Sequence, residues 1–358
     1  MALGNRSRFD LLDGLRGLAA IAVMVYHFTQ HNGIHWLSGA WVAVDLFFIL
    51  SGFVIAHSYG AKLLAGMPLR QFLLIRLIRL GPLYLLGLLI GLVAALLSMQ
   101  AGELDGIRPM QLGTAAFLGA VWLPYFNDLE WPIGSDSIGG PIFPLNDPAW
   151  SLFFEAFVNI AFFLYVHKFR KLSSPKMVGV AFATYLAVTL LFHQVNPGWG
   201  KDNFIFGFPR VVAEFFVGVL IYQMDLHKKT GRPKLTLLVG GAIVLLLILF
   251  GGGRAALANS IILIPLSVVL ASAIRVDSHV WKSACKVLGD LSYPLYIVHF
   301  PMYRLLWQIP AVRTLTPIGQ TALVSSVCIF LALLLALLDQ RLRSALTERT
   351  NFVRQTSF

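Results

Sequence analysis

Charge is what this chain has least of. Asp, Glu, Lys and Arg make up 13% of its 358 residues, where an ordinary soluble domain carries about 25%. That shortage excludes a soluble enzyme. It also excludes a disordered tail, which needs charge without apolar bulk. Cysteine is nearly missing: Cys285 and Cys328 are the only two, both in or beside apolar stretches. A secreted scaffold stapled by disulfides is therefore excluded. No CxxC and no histidine at metal-ligand spacing accompanies them, so no metal site is expected. Acidic residues are scarce beside basic ones, 17 against 28, for a net charge of +11.

What the chain has instead is apolar bulk, 57% of its residues, with a mean hydropathy of +0.75. In that setting the basic excess reads as topology, because Lys and Arg are retained on the cytoplasmic side of a membrane. A membrane-lipid environment is expected, and no nucleic-acid partner. Apolar stretches fall near 11–29, 40–58, 72–97, 109–123, 150–166, 177–194, 204–223, 235–250, 257–274, 288–307 and 318–338. A crossing of about 30 Å needs roughly 20 apolar residues in a helix. Arg6 and Arg8 lead into the first stretch as in a signal peptide, but no A-x-A site follows, so it reads as a transmembrane helix.

The basic clusters decide which stretches cross. They lie at 6–8, 62–79, 168–176, 228–234, 275–286 and 341–354, and hold 21 of the 28 Lys and Arg residues. All six share one face only if 109–123 fails to cross. That stretch is short, contains Gly113 and Gly119, and ends at Pro124. The expectation is an all-α polytopic membrane protein of about ten transmembrane helices plus one re-entrant or interfacial helix. Both termini would be cytoplasmic. The chain reads as a single domain over 1–358, with a core of 9–338 and a cytoplasmic tail of 339–358.

Ionisable groups inside spans are costly, so each needs a reason. Arg16 and His27 share the first helix, eleven residues and about 16 Å of rise apart. Asp45 enters the second helix five residues after its start. A His27–Asp45 pair at similar depth is either a general base with its orienting carboxylate or a plain buried pair. Arg76 and Arg79 lie three apart at the start of the third span. They suit phosphate groups, or simple anchoring on the basic side. Ser151, Glu155 and Asn159 occupy one face of a later helix, and Glu155 lies too deep for an interface anchor. Arg210 and Glu214, at i,i+4, are explained as a mutual pair. His299 reads as a hydrogen-bonded packing residue.

Five blocks together resemble the acyltransferase 3 family of bacterial integral membrane O-acyltransferases. They are Phe9–Ala20 with Tyr26-His27-Phe28, Val44–Phe53, Arg76–Pro82, Trp150-Ser151-Leu152 with Glu155, and Leu288–Tyr296 with His299. The resemblance implies transfer of an acyl group, most often acetyl, from cytoplasmic acyl-CoA to a hydroxyl of a sugar or lipid-linked glycan at the outer face. It carries over Arg16 and His27 as one motif and Arg76 and Arg79 as another. The implied roles are catalytic for His27, Asp45 and Glu155, and donor binding for Arg16, Arg76 and Arg79. Acyl-CoA is then a co-substrate, the acceptor a glycan or glycolipid, and the location a bacterial inner membrane. A chain stopping about 20 residues after its last span is expected to be of the stand-alone type, without a C-terminal hydrolase-like domain. Leu80-Gly81-Pro82 departs mildly from the family, which often has a bulkier residue before the proline. The rival function is a proton-coupled transporter of a polar solute or lipid, which commonly shows paired repeats with broken helices. No such repeat is found here.

Overall fold

The computed structural model describes residues 9–34, 36–104, 107–127, 129, 140–194, 196–225 and 259–355. Helices dominate them: α1 (Asp10–His31), α2 (Ala43–Leu64), α3 (Leu69–Gln100), α4 (Pro109–Ala120), α5 (Trp150–Phe169), α6 (Pro175–Leu191), α7 (Gly207–Gln223), α8 (Ile264–Ala273), α9 (His279–Trp307) and α10 (Pro317–Gln355). Among the described residues no strand forms. Among those residues, six helical segments are long and apolar enough to cross a membrane, and shorter apolar helices accompany them. The chain is an all-α polytopic membrane protein. The expected span at 235–250 lies outside the described residues. The last helix runs without a break across the expected 338/339 boundary between core and tail.

Directions follow from which residues meet. Phe72 of α3 stacks on Phe163 of α5, and Arg76 pairs with Glu155. Gly87 and Gly91 of α3 lie against Asn146 and Leu145, just before α5. Position along α3 rises as position along α5 falls, so the two are antiparallel. The segment between them starts and finishes on the same side, and α4 inside it does not cross. At 12 residues α4 is about 18 Å long, well short of the roughly 30 Å of hydrocarbon. The reading of 109–123 as a non-crossing helix, from charge sidedness, short length and its glycines and proline, agrees with this geometry.

By the same test α1 and α9 are parallel. Arg16 meets Ser292, His27 meets His299 and His31 meets Tyr303. This contact is close because Gly17 lies against the backbone of Leu288, where any side chain would force the helices apart. A second close crossing joins α2 to α7, where Gly52 meets the Phe215 carbonyl and Gly218 meets that of Ile49. These two crossings set which faces of α1 and α2 turn inward, and so where the ionisable side chains point.

Candidate active site

A cavity of about 190 Å³ lies where α1, α2, α3, α5, α9 and α10 converge. It gathers Arg16, Arg76, Arg79, Glu155, Ser51 and Tyr296 into one lining. Four of these are residues singled out in the sequence, the three arginines for donor binding and Glu155 for catalysis. Arg16 donates from Nε to Ser292 Oγ and from a terminal nitrogen to the Gly289 carbonyl, both at 2.8 Å. Its guanidinium also lies 3.6 Å from Asp13. Arg76 is buried and ion-paired with Glu155, whose Oε1 also accepts from Ser51 Oγ at 3.0 Å. Arg76 and Glu155 thus form one unit. Asp13, Asp290 and Asp339 line the same space. The arginines therefore sit among carboxylates, held in place, rather than as a bare cationic field.

Tyr296 is the lining residue of α9 nearest to His299. Its hydroxyl shares a 2.8 Å hydrogen bond with Ser151 Oγ and reaches the Pro148 carbonyl at 3.3 Å. Ser151 and Tyr296 both line the cavity. Tyr293, one turn back, donates to the Leu80 carbonyl at 2.5 Å and ties α9 to α3 beside Gly81-Pro82. The Tyr296 ring lies 6.0 Å from that of His299. His299 Nε2 in turn is 2.9 Å from His27 Nδ1. His27 does not line the cavity but stands past Tyr296 and His299, farther along α9. It keeps part of its surface accessible, whereas His299 is wholly buried.

The expected His27–Asp45 pairing is corrected by this arrangement. Asp45 is 0% exposed and paired with Arg210, also 0% exposed. The Arg210 Nε donates to Asp45 Oδ1 at 2.7 Å, and another nitrogen holds Asn196 Oδ1 at 2.7 Å and the Pro197 carbonyl at 2.9 Å. Glu214, the partner expected for Arg210, is farther at 3.6 Å. The cause is helix geometry. Asp45 is seven residues from Gly52, two turns away on the same face, and Gly52 is the point where α2 meets α7. The face carrying Asp45 is turned to α7, away from α1.

A family model for an acyltransferase domain matches residues 9–337. The chain belongs to the acyltransferase 3 family. This acyltransferase is 40% identical over 172 residues to Protein 2 in picA locus of Rhizobium radiobacter, covering 45% of the chain and 84% of that relative. It is 26% identical over 331 residues to Acyltransferase MdmB of Streptomyces mycarofaciens, covering 83% of the chain and 79% of the relative. Peptidoglycan O-acetyltransferase OatA of Listeria monocytogenes is 25% identical over 211 residues, covering 57% of the chain and 32% of the relative. The acyltransferase thus spans only about a third of that protein's length. It matches no solved structure.

Four residues lie in the sequence blocks quoted above without having been given a part in the site: Ser292, Tyr296, His299 and Ser51. Ser292, Tyr296 and His299 sit at i, i+4 and i+7 on α9, a single helical face that meets Arg16, the cavity and His27 in turn. That spacing was the available signal, and it becomes meaningful once α9 is known to lie along α1. Ser51, which holds Glu155, had no such signal. In the segment after α4, Tyr125 is buried and Trp122 packs on Tyr84 at 4.9 Å.

Proposed function

We propose that this chain moves an acyl group, acetyl in the first instance, from acyl-CoA entering on the cytoplasmic side to a hydroxyl of a glycan on the outer side. The observation that carries the reading is the cavity that unites Arg16, Arg76 and Arg79 and extends to Tyr296, one ring contact from the His299–His27 pair. A CoA thioester is polyanionic at one end and reactive at the other. Guanidinium groups hold phosphate bidentately, and the side of the cavity lined by Tyr296, toward His27, receives the acyl-thioester arm. His27 takes the proton of the acceptor hydroxyl as its oxygen bonds to the thioester carbonyl carbon. The C–S bond then breaks, and the proton passes to the departing thiolate. The Listeria monocytogenes relative named for peptidoglycan O-acetylation makes a cell-wall glycan the first acceptor to try. Membership of an acyltransferase family favours this over solute transport. The setting is a bacterial cytoplasmic membrane with both termini inside.

Donor recognition is tested at Arg79. Losing a hydrogen bond to a charged group removes about 1.5–3 kcal/mol, so Arg79→Ala is expected to raise the KM for acetyl-CoA roughly tenfold or more. Acetyl-pantetheine, which has no phosphates, should lose nothing. Equal losses with both donors would show that Arg79 does not read phosphate.

A further inference from the structure

The His27–His299 contact fixes more than proximity. The two rings lie within 17° of parallel, with centroids 5.1 Å apart and nitrogens 2.9 Å apart. That combination puts them side by side with the bond near their planes, not face to face. His299 makes a second bond, from Nδ1 to the Leu295 carbonyl at 3.0 Å. A carbonyl oxygen only accepts, so the proton of neutral His299 is on Nδ1. Its Nε2 is then a bare lone pair and can only accept. The partner, His27 Nδ1, must therefore be the donor, and His27 Nε2 is left without a proton.

We infer that His299 is the positioning residue of the reaction, holding His27 in the Nδ1–H tautomer so that its Nε2 is the free base. This rests on the proposed acyl transfer for its catalytic meaning, but the tautomer itself does not. The chain of constraint runs from the backbone: the α9 carbonyl of Leu295 sets His299, and His299 sets His27. It gives His27 the orientation that a carboxylate supplies elsewhere. Asp45 is committed to Arg210 and takes no part in it. The burial of His299 at 0% exposure, with Phe28 and Phe300 rings beside it, keeps water from competing for the bond. Because His27 alone of the pair has accessible surface, it is the member that an acceptor hydroxyl can reach.

The test is the protonation of individual ring nitrogens, read by 15N NMR on histidine-labelled full-length protein in liposomes at alkaline pH. The His27 signals are assigned by their loss in His27→Gln. The expected spectrum has a protonated Nδ1 and a bare Nε2 on His27. In His299→Leu the same ring should lose that bias. Finding Nε2–H on His27 in the unsubstituted protein would overturn the inference. Turnover with acetyl-CoA gives the second arm. His299→Leu should lower kcat on the order of 10²-fold or more while leaving the KM for acetyl-CoA within about twofold. His299→Gln places an amide oxygen where Nε2 was, and should recover at least a tenth of wild-type kcat. Equal loss in both variants with unchanged melting would count against a role through the acceptor atom. If no variant, wild type included, turns over acetyl-CoA, the acyl-transfer reading fails, while the NMR result still decides the tautomer.

Discussion

Asp45→Ala should destabilise the protein by about 3–5 kcal/mol, the usual cost of stranding one member of a buried ion pair. Both partners are removed from solvent, at 0% exposure each. The Arg210 guanidinium would keep Asn196, the Pro197 carbonyl and a Glu214 oxygen 3.6 Å away. Those neighbours moderate the loss without replacing the carboxylate that it grips. Because Arg210 bridges α2, α7 and the 196–197 segment, the defect should appear as a lower melting temperature in detergent. Asp45→Leu combined with Arg210→Met should recover much of it, since apolar replacements of a buried pair are often neutral or better. This separates two accounts of one residue. If Asp45 oriented His27, Asp45→Ala would melt like the wild type and lose turnover alone. That outcome would contradict the geometry.

The second large effect is at His27. Removing a general base lowers turnover by about 10²–10⁴-fold, so His27→Ala should leave CoA release from acetyl-CoA near background. Donor affinity should hold, because Arg16 lies eleven residues earlier on the same helix, about 16 Å away. The pairing of an unchanged Kd with a lost kcat is the signature. A weakened Kd with kcat retained would move His27 into the donor site and empty the proposed chemistry.

Much of the architecture was legible in sequence because its causes are local. Span length depends on apolar run length, and the non-crossing α4 showed itself in the sidedness of basic clusters before its 12-residue length was known. Arg16, Arg76 and Arg79 were each conspicuous as charge in apolar surroundings, and Glu155 likewise. Their meeting in a single cavity is a product of packing. Asp45 shows where a local reading stops. Its place near the start of α2 suggested the depth of His27, but its azimuth is set by Gly52 and Gly218, residues of two helices far apart in sequence. His299 shows the converse. Read alone it was a packing residue, and the parallel course of α1 and α9 makes it the partner of His27.

The central claim is transfer from one face to the other through a single site. Purified protein in sealed liposomes, with labelled acetyl-CoA outside and peptidoglycan disaccharide trapped inside, tests it most directly. The account predicts that protein with its cytoplasmic face outward consumes the donor. CoA stays outside, and labelled acetyl accumulates inside as an ester on the sugar or as acetate. None of this should occur with His27→Ala. Recovery of both CoA and acetyl on the outer side, or the same luminal label without His27, would contradict it.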